Sequence, residues 1–180
     1  MREAEGCNGW DKTVHEYFLA HFNVARPLGA VNVHLDESKY FFKQLQEMFE
    51  RDHLHEGLMW HRHGMRAADG RELNFFEIAA LDTKGPDNPH IYTVAGWRDA
   101  KDLHNFAYRD RQHMANMKRL RHWVDRSEGA NMVMWWAERD TRISLDMAWD
   151  RLQRLRKDGP GPHAFNLQQR FDPPEMSSVA

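Results

Sequence analysis

Cysteine is almost absent: Cys7 stands alone in 180 residues, so no disulfide forms within the chain, and a reducing, cytoplasmic setting is the expectation. Long apolar runs are missing too. The longest, such as residues 132–136, fall far short of a bilayer span, and the opening MREAEGCNGW holds no apolar segment of the kind a secretory signal needs. Neither sign of charge dominates. With 25 basic and 27 acidic residues the formal net charge is −2, which implies neither a nucleic-acid footprint nor a polybasic membrane patch. No Gly-rich phosphate loop, no G-x-S-x-G and no Cys–His nucleophile pattern occurs, which disfavours nucleotide and dinucleotide cofactors.

Against these absences stand 12 His, 10 Met and 7 Trp. Histidines in number suggest either proton or metal chemistry or simply a polar surface, and methionines suit an adaptable apolar core or pocket. The length fits one core. Residues 1–16 are expected as a tail, 17–171 as a single domain, and 172–180 as a disordered tail.

Residues 17–25 alternate as a strand, with Phe18, Ala20, Phe22 and Val24 on one face and Leu19, His21 and Asn23 on the other. Phe41, Phe42, Leu45, Met48 and Phe49 predict a helix over 36–54, with Asp36 and Ser38 available as caps. Strands are expected at 58–63 and 73–80, and 91–97 reads as a further strand or an extension of the third. One long helix is expected over about 99–126, from the stripe Leu103, Phe106, Ala107, Met114, Met117 and Val124. A strand at 131–137, a helix from Ser144 or Asp146 to Gly159-Pro160, and a last strand at 164–171 complete the order. The leading elements run β-α-β-β-α-β, a ferredoxin-like sequence whose helices cover one sheet face, leaving the other for a partner subunit. The predicted class is therefore α+β, with an extra C-terminal helix and strand.

Trp97, Phe106 and Tyr108, His113, Arg121 with Trp123, the Trp135-Trp136 pair, Gly159-Pro160 and Ala164-Phe165 together resemble the DUF3291 family of the dimeric α/β-barrel superfamily. Residues 22–25 and Trp60 also fit, so the resemblance spans roughly residues 18–171. The segment 137–142 and the loop 82–90 depart from the family's pattern. The resemblance implies a ferredoxin-like homodimer with a barrel-like cavity. The superfamily includes cofactor-free monooxygenases, polyketide cyclases, isomerases and haem enzymes, and the family itself has no assigned activity.

Two groups of residues could carry chemistry. His113, on the second helix, has Asp110 three residues before it, a spacing at which a carboxylate can orient an imidazole as a base. His61 and His63, two apart on one strand, project together, with His21, Asn23 and Glu77 on the same side. That set suits metal binding, metal-free proton transfer or plain polar lining. Trp97, Tyr108 and Trp136 are pocket candidates, whereas Trp123, Trp135 and Trp149 are expected in the core. His53 and His55 are expected at an exposed helix end, complementing its dipole. The leading expectation is an enzyme without cofactor or metal, a cyclase, isomerase or cofactor-independent monooxygenase using a histidine base on a hydrophobic aromatic or polyketide-like substrate. A haem- or metal-binding enzyme and a non-catalytic small-molecule binder are the alternatives.

Overall fold

The computed structural model describes residues 16–28, 31, 36–51, 55–73 and 89–174. Along the chain run β1 (Tyr17–Pro27), α1 (Asp36–Glu50), β2 (Leu58–Arg66), the short β3 (Glu72–Leu73), β4 (His90–Trp97), α2 (Ala100–Arg109), α3 (Arg111–Arg119), a 3-10 turn (Leu120–His122), β5 (Val124–Asp125), β6 (Met132–Glu138) and α4 (Leu145–Asp158). The result is a mixed α+β fold around an open antiparallel sheet. Its main body is ordered β2-β4-β1-β6, with β3 on the edge of β2 and β5 at the end of β1. None of the helices among the described residues is long and apolar enough to cross a membrane.

Strand alternation sorts the side chains into two layers. On one face Phe18, Ala20, Phe22 and Val24 of β1 join Tyr92 and Val94 of β4 and Val133, Trp135 and Ala137 of β6. This face packs against Leu145, Ala148, Leu152 and Leu155, which recur at helical spacing along α4. Ser144 caps that helix by accepting from the Met147 N–H, and Gly159 ends it. Two glycines let aromatic rings lie flat here. Trp60 sits opposite Gly96 and Tyr92 opposite Gly64, and a Cβ on either glycine would enter the ring of its partner.

The other face carries Leu19, Ala95, Trp97 and Met134, packed on Leu103 and Phe106 of α2, and beyond them Met65 and Ile91, packed near Phe41 and Phe42 of α1 and Trp123. Both sheet faces are thus covered by helices of the same chain. The face that the leading six elements leave open carries α4.

Three expectations change. The long second helix is two helices, because Asp110 leaves helical geometry at φ −69, ψ 115. Its backbone N–H closes α2 on the Asn105 carbonyl while its carboxylate opens α3. The last strand at 164–171 is reduced to bridges: Phe165 exchanges backbone hydrogen bonds of 2.8 and 2.9 Å with Met134, and Ala164 pairs with Gly161. Of the expected strand at 73–80 only its start is described, as β3; residues 74–80 lie outside the described residues.

A charged cluster fastens the far end of the sheet. Glu128 accepts from Arg26 at 2.6 Å, from Arg156 at 3.2 Å and from His90 at 3.1 Å, and Arg26 also pairs with Asp125. Burial pushes the Glu128 carboxyl up, but the neighbouring His90, Arg156 and Arg26 bring it below its ordinary value.

Candidate functional site

The face under α2 and α3 carries the histidines. Cross-strand register puts His61, Ala95, His21 and Met134 in one row and His63, Thr93, Asn23 and Met132 in the next. Ala95 and Thr93 are the small members, so each row dips between its outer side chains.

On the β2 side, His61 Nδ1 is hydrogen-bonded to His63 Nε2, and His63 Nδ1 to Thr93 Oγ1 at 3.0 Å. The two rings lie 4.6 Å apart, and both are half-buried. The expected shared projection of His61 and His63 is therefore present, but the imidazoles engage one another rather than converging on an empty point.

On the β1 side, His21 is buried. Burial, aided by the nearby His113, pushes its imidazole down to about 3. His113 comes from α3, with its ring 4.6 Å from that of Phe106. Burial lowers its pKa, opposed by Asp110 and assisted by His55. His55 lies 4.7 Å from the same Phe106 ring, edge-on. The structure therefore gathers His55, His113 and Trp97, the last at 5.3 Å, around Phe106, with His113 within electrostatic reach of His21. At neutral pH both His21 and His113 are uncharged. His113 can accept a proton; His21, held so low, serves as a neutral hydrogen-bonding group.

His55 is the residue missed by sequence reasoning. It does not decorate an exposed helix end but faces inward, because the left-handed Gly57 turns the chain immediately before β2. His53 lies outside the described residues, as does Glu77. Asp110 does not hold the His113 imidazole; its Oδ1 accepts from the His113 backbone N–H at 2.7 Å, the usual work of a helix-capping carboxylate. Tyr108 is exposed, beside His104. Trp136 packs on the same face as Trp97, but its indole donates to the Phe171 carbonyl at 2.7 Å. Asn23 is half-buried two residues along from His21. Among the described residues no group of three His, Cys, Asp or Glu side chains is placed to hold a metal ion.

The element that carries His113 is loosely held. α3 has no buried residue, and polar contacts fix it to α1, Gln112 to Gln44 at 3.1 Å and Glu47 at 2.9 Å and Tyr40 to Asn116 at 2.7 Å, while Arg51, just past α1, reaches Gln112 and the capping Asp110. The Arg119 guanidinium lies 4.0 Å over the Tyr40 ring. Local opening follows buried contact, so the backbone amides of α3 are expected to exchange with solvent about tenfold faster than those of α2, which buries Leu103. Hydrogen-exchange mass spectrometry measures this directly, and equal protection of the two helices would contradict it.

The histidine face, with its neutral imidazoles, lies wholly inside the segment matched by one family profile, "Domain of unknown function (DUF3291)", at residues 18–180. The chain belongs to the DUF3291 family. No match is found among curated proteins or among solved structures. Every candidate in the described region, from His21 through His113 to Trp136, falls within the DUF3291 segment.

Proposed function

We propose that this DUF3291 chain is a small-molecule enzyme that begins proton transfer on a hydrophobic, aromatic or polyketide-like substrate, with His113 as the base. The observation that carries the reading is a neutral, half-buried imidazole beside Phe106, within electrostatic reach of a second neutral imidazole, His21. Such a base is ready at neutral pH, and the aromatic neighbours suit a flat apolar ligand. Cyclisation, isomerisation and cofactor-free oxygenation all start with that step. The order β6-β1-β4-β2, with the α1 and α2 crossovers on one face, supports a ferredoxin-like ancestry for the sheet.

The test is deuterium wash-in from D2O into a panel of aromatic carbon acids, including indene and 1-tetralone, followed by NMR. Replacement His113→Ala is expected to lower the catalysed rate at least about tenfold with the fold intact, in line with the contribution of a positioned base. His61→Ala and His63→Ala, across Ala95, test whether the second pair takes part. A His113→Ala protein that exchanges every member of the panel as fast as the parent would end the base reading.

A further inference from the structure

The two histidines of β2 belong to a line of three polar groups. Thr93 stands opposite His63 across the β2–β4 ladder, and its Oγ1 is 3.0 Å from His63 Nδ1. At the other end of the same ring, His63 Nε2 faces His61 Nδ1 at 2.5 Å. With its Nδ1–H donating to the Thr93 hydroxyl, a neutral His63 has its one proton committed there, and Nε2 presents a lone pair to His61. A partner on the far nitrogen that fixes the tautomer and orients the ring is the usual support behind a metal-bound imidazole.

The surroundings admit a cation. His61 and His63 are half-buried, so water reaches part of each ring. Arg62, between them in the strand, turns to the opposite sheet face, where it lies within electrostatic reach of Tyr92. His21, by contrast, is 6% exposed, and a dication there would lose its hydration without compensation.

We propose that His61 Nδ1 and His63 Nε2 chelate a divalent transition-metal ion, Cu(II) most tightly. The ion takes the place of the proton between the two nitrogens, and His61 keeps its own proton on Nε2. Nitrogens held about 2.0–2.1 Å from one metal ion lie roughly 2.9–3.4 Å apart in square-planar or tetrahedral geometry, so the rings part by less than about 1 Å. Imidazole suits copper, nickel and zinc, and the general order of affinities puts Cu(II) first. Among the described residues no third His, Cys, Asp or Glu joins the pair, so water completes the shell and the ion exchanges readily. The site does not depend on His113 acting as a base.

The test titrates CuCl2 into the whole chain at neutral pH with glycine as a competing ligand. A Cys7→Ser background is used, because a free thiol also takes copper. One ion per chain is expected, and its electron paramagnetic resonance spectrum should carry the hyperfine pattern of two imidazole nitrogens. His61→Ala and His63→Ala should each weaken binding at least about tenfold and Thr93→Val about tenfold, the scale of losing a group behind a metal ligand. His122→Ala and His163→Ala, at exposed positions, should change nothing. Circular dichroism checks the fold of each variant, and where one does not fold the nitrogen count in the parent protein decides. Coupling to a single nitrogen in the parent overturns the proposal. So does full-affinity binding by folded His61→Ala or His63→Ala protein, and so does failure of the parent to hold copper against glycine. An ion lost with His122→Ala or His163→Ala is adventitious and overturns it as well.

Discussion

Lowering the pH from 6.5 to 4.5 is expected to destabilise the fold by about 2 kcal/mol through His21 alone. In the unfolded chain this imidazole titrates at its ordinary 6.5, whereas burial holds it at about 3 in the fold. Between those values the unfolded state binds a proton that the folded state refuses, so stability falls as pH falls. The contribution fades above 6.5 and grows until about 3. Each unit well inside that range is worth about 1.4 kcal/mol, and the first unit below 6.5 somewhat less because the unfolded imidazole is still half-charged there, which gives the figure above. His113, also lowered by burial, acts with the same sign and adds to the loss. Asp102, whose carboxyl burial raises, opposes the loss, because the folded state takes up that proton at higher pH than the unfolded chain does. Glu128 and Asp125 are also lowered, but from ordinary values of 4.5 and 3.8, so their contributions disappear only at more acid pH. Urea unfolding at the two pH values measures the difference. His21→Gln, which cannot titrate, should flatten the slope whatever it does to the absolute stability. A parent protein equally stable at both pH values would refute the burial of a neutral His21.

Gly57→Ala is expected to cost about 3 kcal/mol, combining roughly 1–2 for a left-handed alanine with a similar amount for overpacking. Gly57 has φ +79, and a Cβ there would run into the Asp102 carboxylate. That carboxylate is buried and cannot simply move aside. Arg98 grips it with its Nε at 2.9 Å and a second nitrogen at 2.8 Å, and Arg98 also donates to the Gly57 carbonyl through its backbone at 2.7 Å. The whole junction between β2, β4 and α2 would have to shift. For a chain of this size the melting temperature should fall by roughly 6–12 °C. Gly129→Ala is the control. Its φ is +86, yet nothing lies within 4 Å of the added Cβ, so only the backbone share of the loss, about 1 kcal/mol, is expected. Equal losses at the two positions would mean that the Asp102 contact contributes nothing. The same turn aims His55 at Phe106, so the variant should also disturb the histidine group.

The strands were legible where alternation is strong. β1 could be read residue by residue because its period of two divides Phe18, Ala20, Phe22 and Val24 from Leu19, His21 and Asn23, and that division is present. α4 was equally clear, since Ser144, the apolar spacing and Gly159 all agree. The break at Asp110 was hidden because an apolar stripe continues on both sides of it. An aspartate on that stripe was the available sign, and it marks a cap rather than a catalytic partner. The strand expected at 164–171 failed because short apolar alternation does not supply a neighbour to pair with, and only Phe165 and Ala164 find one.

By itself the sequence determined the class of the fold, the two faces of β1, the capped helix α4 and the presence of His21, His61, His63 and His113 on elements that could meet. Only the tertiary structure decided which layer covers which face and which histidines touch. Periodicity says that a strand has two sides but not what lies against each. Here α4, late in the chain, returned to cover the phenylalanine face, and this left the histidine face to α1 and α2. Burial there, a property of the assembled layers and not of any segment, is what holds His21 and His113 neutral.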